Sequence, residues 1–112
     1  MNPRIAPVSA ATYHAFVHRV PGRPAAVMIR AEDCPPCKKA LPLWEELADA
    51  CPGVRFGVFT LTREDALFVK DVLGVRAIPT CFVYLDGKQV FTGTGVSGVQ
   101  EVADYFDGTS LP

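Results

Sequence analysis

Ala25-Ala-Val-Met28-Ile-Arg30-Ala-Glu32-Asp33-Cys34-Pro35-Pro36-Cys37-Lys38-Lys39-Ala40-Leu41-Pro42-Leu43-Trp44 joins two hydrophobic patterns across one pair of cysteines. Ala25 to Ala31 is a nearly continuous apolar run closed by Arg30, which predicts a strand buried on both faces in the middle of a sheet. From Cys37 to Cys51 the period changes. Ala40, Leu41, Leu43, Trp44, Leu47, Ala48 and Cys51 fall on one arc of a helical wheel, and Lys38, Lys39, Glu45, Glu46 and Asp49 on the other, which predicts an amphipathic helix. Pro42 lies on the polar side, where its missing N–H removes one hydrogen bond and bends the helix without ending it. Pro52-Gly53 stops it.

The flanking segments alternate in the same way. Ile5 to Val8 reads as a short edge strand, and Ser9 as the cap of a helix carrying Tyr13, Phe16, Val17 and Val20 on one face. Val54 to Leu61 reads as a strand, and Thr62 to Leu73 as a helix closed by Gly74. Thr80 to Leu85 and Lys88 to Thr92 form a hairpin about Asp86-Gly87. A last helix starts at Ser97, with Ser97-x-x-Gln100 as a capping box and Val99, Val102, Ala103, Tyr105 and Phe106 inward. The order is β-α-β-α-β-α-β-β-α, and the 112 residues suit one domain over 1–112.

Composition removes several classes of function. Eleven basic and twelve acidic residues give a net charge of −1, so no general field draws the chain to nucleic acid or an anionic membrane. No apolar run approaches the ~20 residues of a spanning helix. The N-terminal segment lacks the apolar block of a secretory signal, so the expected address is cytoplasmic. Size and balanced charge favour a monomer. Four cysteines, Cys34, Cys37, Cys51 and Cys81, are too few and too uneven for a disulfide-stapled scaffold. No second pair follows at the distance a closed zinc site needs, and His14 and His18 have no third partner, so neither metal nor bound cofactor is expected. Cys51 and Cys81 fall on core positions as small buried hydrophobes, and Trp44 as a packing residue.

That leaves Cys34 and Cys37. A cysteine at a helix N-terminus meets unsatisfied N–H groups and the positive end of the helix dipole, both of which stabilise a thiolate. Cys34 sits at the edge of the apolar arc and Cys37 within it, so Cys34 is the expected nucleophile and Cys37 the resolving thiol. Pro35 and Pro36 fit a first turn but have no N–H to give, and Asp33 and Glu32 add negative charge that Lys38 and Lys39 partly offset. The expected couple is reducing rather than strongly oxidising.

The Cys34-Pro35-Pro36-Cys37-Lys38 stretch after a buried strand, Pro42 five residues on, Gly74-Val75-Arg76-Ala77-Ile78-Pro79-Thr80, and Gly95 before the last helix together resemble the thioredoxin family over nearly the whole chain. The resemblance implies a thioredoxin-like α/β fold, a central mixed sheet flanked by helices on both faces. It implies a cis Ile78-Pro79 bond beside the cysteines, with Ile78, Pro79 and Thr80 pairing with an incoming peptide and Gly95-Val96 as the opposite wall. It further implies a disulfide-containing protein substrate and an external, flavin-containing reductase of the thioredoxin reductase kind.

Three positions depart from the family. Asp33 replaces the aromatic usual before the first cysteine, Met28 replaces a buried aspartate, and the lysine that aspartate neighbours aligns with Phe59 or Thr60. Losing both charges leaves an apolar core rather than an orphan ion. It also removes the proton acceptor for Cys37, so resolution should be slower or use water, Asp33 or a substrate group. Those losses favour a competing class, a non-catalytic thioredoxin-fold binding or assembly module, which the intact cysteine pair opposes. A glutaredoxin-like protein is disfavoured by length, Pro42 and the Ile78-Pro79-Thr80 run.

Overall fold

The computed structural model describes residues 2–108. In chain order the elements are β1 (Ile5–Val8), α1 (Ala10–His18), β2 (Ala25–Arg30), α2 (Pro35–Ala50), β3 (Arg55–Thr60), a π-helical turn (Phe68–Val72), β4 (Thr80–Leu85), β5 (Lys88–Thr94) and α3 (Val96–Gly108). The five strands form one mixed sheet in the order β1-β3-β2-β4-β5, with β1, β3 and β2 parallel and β4 and β5 antiparallel to their neighbours. Ala25 to Ile29 are buried without exception, as a central strand covered on both faces requires.

Strand parity divides the core in two. Ala26, Met28, Phe56, Cys81 and Val83 face α2 and α3, where they meet Ala40, Trp44, Ala48, Val99, Val102 and Phe106. Val27, Ile29, Phe59, Phe82 and Tyr84 face the other way, onto Tyr13, Phe16 and Val17 of α1 and Val69 of the π-helical turn. Three buried side-chain polar groups are satisfied inside these layers, as burial demands. The Trp44 indole N–H donates to the Gly57 carbonyl at 3.1 Å, and the Tyr13 and Tyr84 hydroxyls share a hydrogen bond of 2.6 Å.

Asp86 and Gly87 both have positive φ, 53° and 80°, the conformation a two-residue hairpin turn needs. β5 runs two residues beyond the expected Thr92, with a register shift between Val83 and Tyr84. Other readings need correction. Thr62 to Leu73 is not one helix. Thr62 Oγ1 bonds Asp65 Oδ2 at 2.9 Å and the Asp65 N–H bonds the Thr62 carbonyl at 3.1 Å, a local turn that replaces the first helical turn. Further on the Leu73 N–H reaches back five residues to the Phe68 carbonyl at 3.1 Å, and Gly74 at φ 70° ends the segment. Ser97 is not a cap: α3 begins at Val96, and Gln100 bonds Asp104 instead of reaching back. Leu43 and Val20, expected inside, are exposed, the latter past the end of α1.

α3 lies against β5 through a pair of glycines. A Cβ on Gly98 would stand 2.7 Å from the Gly93 carbonyl carbon, and one on Gly93 2.8 Å from the Gly98 carbonyl oxygen, so backbone meets backbone. Gly98→Ala gains about 1 kcal/mol of helix propensity but forces apart a contact with no flexible side chain to yield, at about 1–3 kcal/mol. The expected net result is destabilisation by about 1 kcal/mol, read as a lower midpoint in urea unfolding.

Candidate active site

The site forms at one end of the sheet because three segments finish or start there. β2 ends at Arg30 and hands the chain to Cys34. β4 runs antiparallel to β2, with Thr80 opposite Ile29, so the residues just before Thr80 lie at the same end. Thr94 lies opposite Thr80 in turn, which brings Gly95 there as well. The Gly95 N–H donates to the Pro79 carbonyl at 2.8 Å, and Gly95 adopts φ 78°, a conformation other residues rarely take.

Cys34 is the N-cap of α2, with extended backbone and Pro35 and Pro36 filling the first turn. Its sulfur accepts from the Cys37 N–H at 3.3 Å and its S–H points to the Ile78 carbonyl at 3.8 Å. Cys34 keeps 9% exposure and Cys37 none, so an incoming group meets Cys34 first. Burial pushes the Cys37 thiol up, and its contact with Cys34 adds to this, while the Ala31 backbone N–H and the positive charge of Arg30 pull it down. The Ile78–Pro79 peptide is cis, Pro79 and Thr80 are buried, and the Thr80 hydroxyl donates to the Ala77 carbonyl. Asp33, Pro35, Pro36 and Lys38 are exposed around the cysteines' loop and helix start, and Val96 is half-buried at the head of α3. Along the loop to Ile78 runs an open cleft of about 770 Å³, lined by Leu61, Val69, Val75, Arg76 and Ala77 among others.

Beside Met28 the register places Val58 on β3 and Cys81 on β4; of the two residues aligned with the family's lysine, Phe59 faces α1, while Thr60 shares the face of Met28 one pair further along β3. The position is apolar on both sides. Arg30 is the residue that sequence reasoning passed over. It shares parity with Ala26 and Met28 and so looks to the α2 side. Its Nη1 is held at 3.1 Å by Thr60 Oγ1, and its buried Nε has no hydrogen-bond partner among the described residues. A charge ending a buried strand four residues before a Cys-x-x-Cys, on the face that the helix covers, was the available signal. Among the described residues no group of three or more His, Cys, Asp or Glu side chains is arranged to hold a metal ion, and no helix is long and apolar enough to cross a membrane.

The family model for thioredoxin matches residues 4–107. The chain belongs to the thioredoxin family. It is 30% identical to thioredoxin of Pseudomonas aeruginosa over 107 residues, which is 96% of this chain and 97% of that one. With thioredoxin of Rhodospirillum rubrum it shares 34% over 88 residues, covering 79% and 83% of the two chains. Thioredoxin f of spinach chloroplast, in its short form, superposes with a TM-score of 0.85 at 23% identity over 93% of this chain and 91% of that one, a likeness of fold. This thioredoxin-family protein is accordingly a thiol–disulfide oxidoreductase whose cysteine pair is Cys34 and Cys37. The reading of the chain as a non-catalytic module or a glutaredoxin gives way to that assignment.

Proposed function

We propose that the chain reduces protein disulfides in the cytoplasm as a monomer, with Cys34 as nucleophile and Cys37 as resolving thiol. The observation that carries this is the asymmetry of the pair, one largely buried sulfur that keeps a small exposure at a helix N-terminus and the other sealed completely. The Cys34 thiolate attacks one sulfur of a substrate disulfide, forming a mixed disulfide and releasing the first substrate thiol. Cys37, once deprotonated, attacks the Cys34 sulfur. The second substrate thiol leaves, Cys34 and Cys37 are joined, and two electrons have passed to the substrate. An external reductase of the thioredoxin reductase type returns them.

Ile78, Pro79 and Thr80 give the substrate its docking edge in this reading. Pro79 has no N–H, Thr80 is turned back on Ala77, and Gly95-Val96 closes the far side. Asp33, Pro35, Pro36 and Lys38 set the polarity of the surface that the substrate meets. A reversible two-electron couple in a glutathione titration of the purified chain is the expected result. Sulfurs that never join under oxidising buffers overturn the proposal.

With Met28 in place of a carboxylate, the charge of Arg30 is the smallest of the influences on Cys37 and acts with the Ala31 backbone to favour the thiolate that must attack, against the larger effect of burial. Arg30→Met is expected to move the pH profile of the resolving step slightly to higher pH and to slow that step modestly at neutral pH. The attack of Cys34 on substrate changes less. Rapid-quench separation of the mixed disulfide from the oxidised product measures both, and an unshifted profile removes Arg30 from the mechanism.

A further inference from the structure

At the end of the sheet opposite the cysteines, Arg4, Arg19, Arg23 and Arg55 line one small cavity of about 210 Å³ with Phe16, Phe56 and other apolar residues, and no carboxylate lines it. Asp49 lies at its rim, paired with Arg4 at 3.6 Å and accepting from Asn2 at 3.0 Å, both at exposed positions. Arg55 is the innermost of the four. Its Nη1 caps the end of α1 by donating to the Phe16 carbonyl, its guanidinium lies 5.2 Å from the centre of the Phe16 ring, and its Nε and Nη2 are buried with no hydrogen-bond partner among the described residues. Burial, and then the like charges of Arg23 and Arg19, hold it below the ordinary guanidinium range. A cation withdrawn from water and left without a counter-charge costs stability unless something negative sits close by.

We propose that this cavity binds a phosphoryl group, which supplies the negative charge that the chain itself withholds. Arg23 is pre-set for the task, because its Nε and Nη2 are fixed on the Gly53 and Pro52 carbonyls at 3.0 and 2.7 Å, leaving its other donors free. Arg19 at the end of α1 and Arg4 on the rim add two further forks. Guanidinium groups lining one cavity from several sides offer donors in several directions, which suits the oxygens of a tetrahedral oxyanion better than a carboxylate, whose acceptor sites lie in one plane. The volume is below that of pockets for drug-sized ligands, roughly 300–1,000 Å³, which favours inorganic phosphate or a small phosphate monoester over a nucleotide.

The test is thermal unfolding and calorimetric titration of the full chain with inorganic phosphate, glycerol phosphate and succinate against sodium chloride at equal ionic strength. Phosphate is expected to raise the unfolding temperature in a saturable way that chloride and succinate do not reproduce. A response to glycerol phosphate as well identifies a phosphate monoester, and a response to phosphate alone identifies the free ion. Arg19→Gln with Arg23→Gln, both at exposed positions remote from the cysteines, is expected to weaken binding by about tenfold or more. If that double variant fails to fold, each single variant carries the same expectation at smaller size. Equal effects of phosphate and chloride, or an undiminished phosphate effect in the variants, overturn the proposal.

Discussion

Cys37→Ser stops turnover after the first sulfur exchange and leaves the substrate covalently held on Cys34. The hydroxyl that replaces the resolving thiol occupies nearly the same space beneath the helix start, so the fold and the Cys34 surface persist. A serine hydroxyl without a base is no nucleophile towards a disulfide, and neither other cysteine on that side of the sheet can take its place: Cys81 is sealed in the strand layer and Cys51 caps the far end of α2. Insulin reduction should fall to the uncatalysed rate. A mixed disulfide should then accumulate that is visible on a non-reducing gel, is released by dithiothreitol, and maps to Cys34 by mass spectrometry. The same variant fished through a cell extract names the physiological substrates. Recovery of only free Cys37→Ser chain, with no covalent partner and undiminished insulin reduction, sinks the assignment of nucleophile and resolving thiol together.

The parts of this site that were legible in the sequence were those fixed by local rules. A short apolar run bounded by turn residues fits a central strand, a pair of prolines after Cys34 fits the first turn of a helix, and Asp86-Gly87 favours a hairpin. The parts that were not legible depend on register and on competition between neighbours. Thr62 and Asp65 bond each other, and that local pairing wins over the helical period of Ala66, Leu67, Val69 and Leu73. The capping box at Ser97 fails because Gly95, with its left-handed backbone, and the Gly93–Gly98 contact fix where α3 begins. Arg30 is instructive for the site itself. Its position in sequence suggested only the end of a strand, and its relation to Cys37 emerges from strand parity, from Thr60 across the β2–β3 pairing, and from the helix laid over both. The charge that a buried carboxylate and lysine would have set inside the core is met here by an apolar centre and one cation at its edge.

Cys81 supplies the second large effect, on stability at high pH. Burial on β4 between Met28 and Gly93 pushes its thiol up from 9.0 to about 12. The folded chain therefore keeps the proton where the unfolded chain releases it. A group whose pKa is raised by folding contributes fully below its unfolded value and loses that contribution as pH climbs to the folded one, so the window is pH 9 to about 12. Across those three units one thiol accounts for about 4 kcal/mol at ~1.4 kcal/mol per unit, a large share of the stability of a domain this size. Cys37 and Tyr84 are raised in the same direction and steepen the fall. Cys81→Ala gives up about 1 kcal/mol of packing at neutral pH but removes one proton from the linkage, so its stability should decline less steeply than the wild type's by up to about 1.4 kcal/mol per pH unit. Urea unfolding of both proteins in reducing buffer through that window measures the difference. Parallel slopes would mean that the thiolate at position 81 is tolerated inside the sheet, and the dry, uncharged centre inferred around Met28 would have to be abandoned with it.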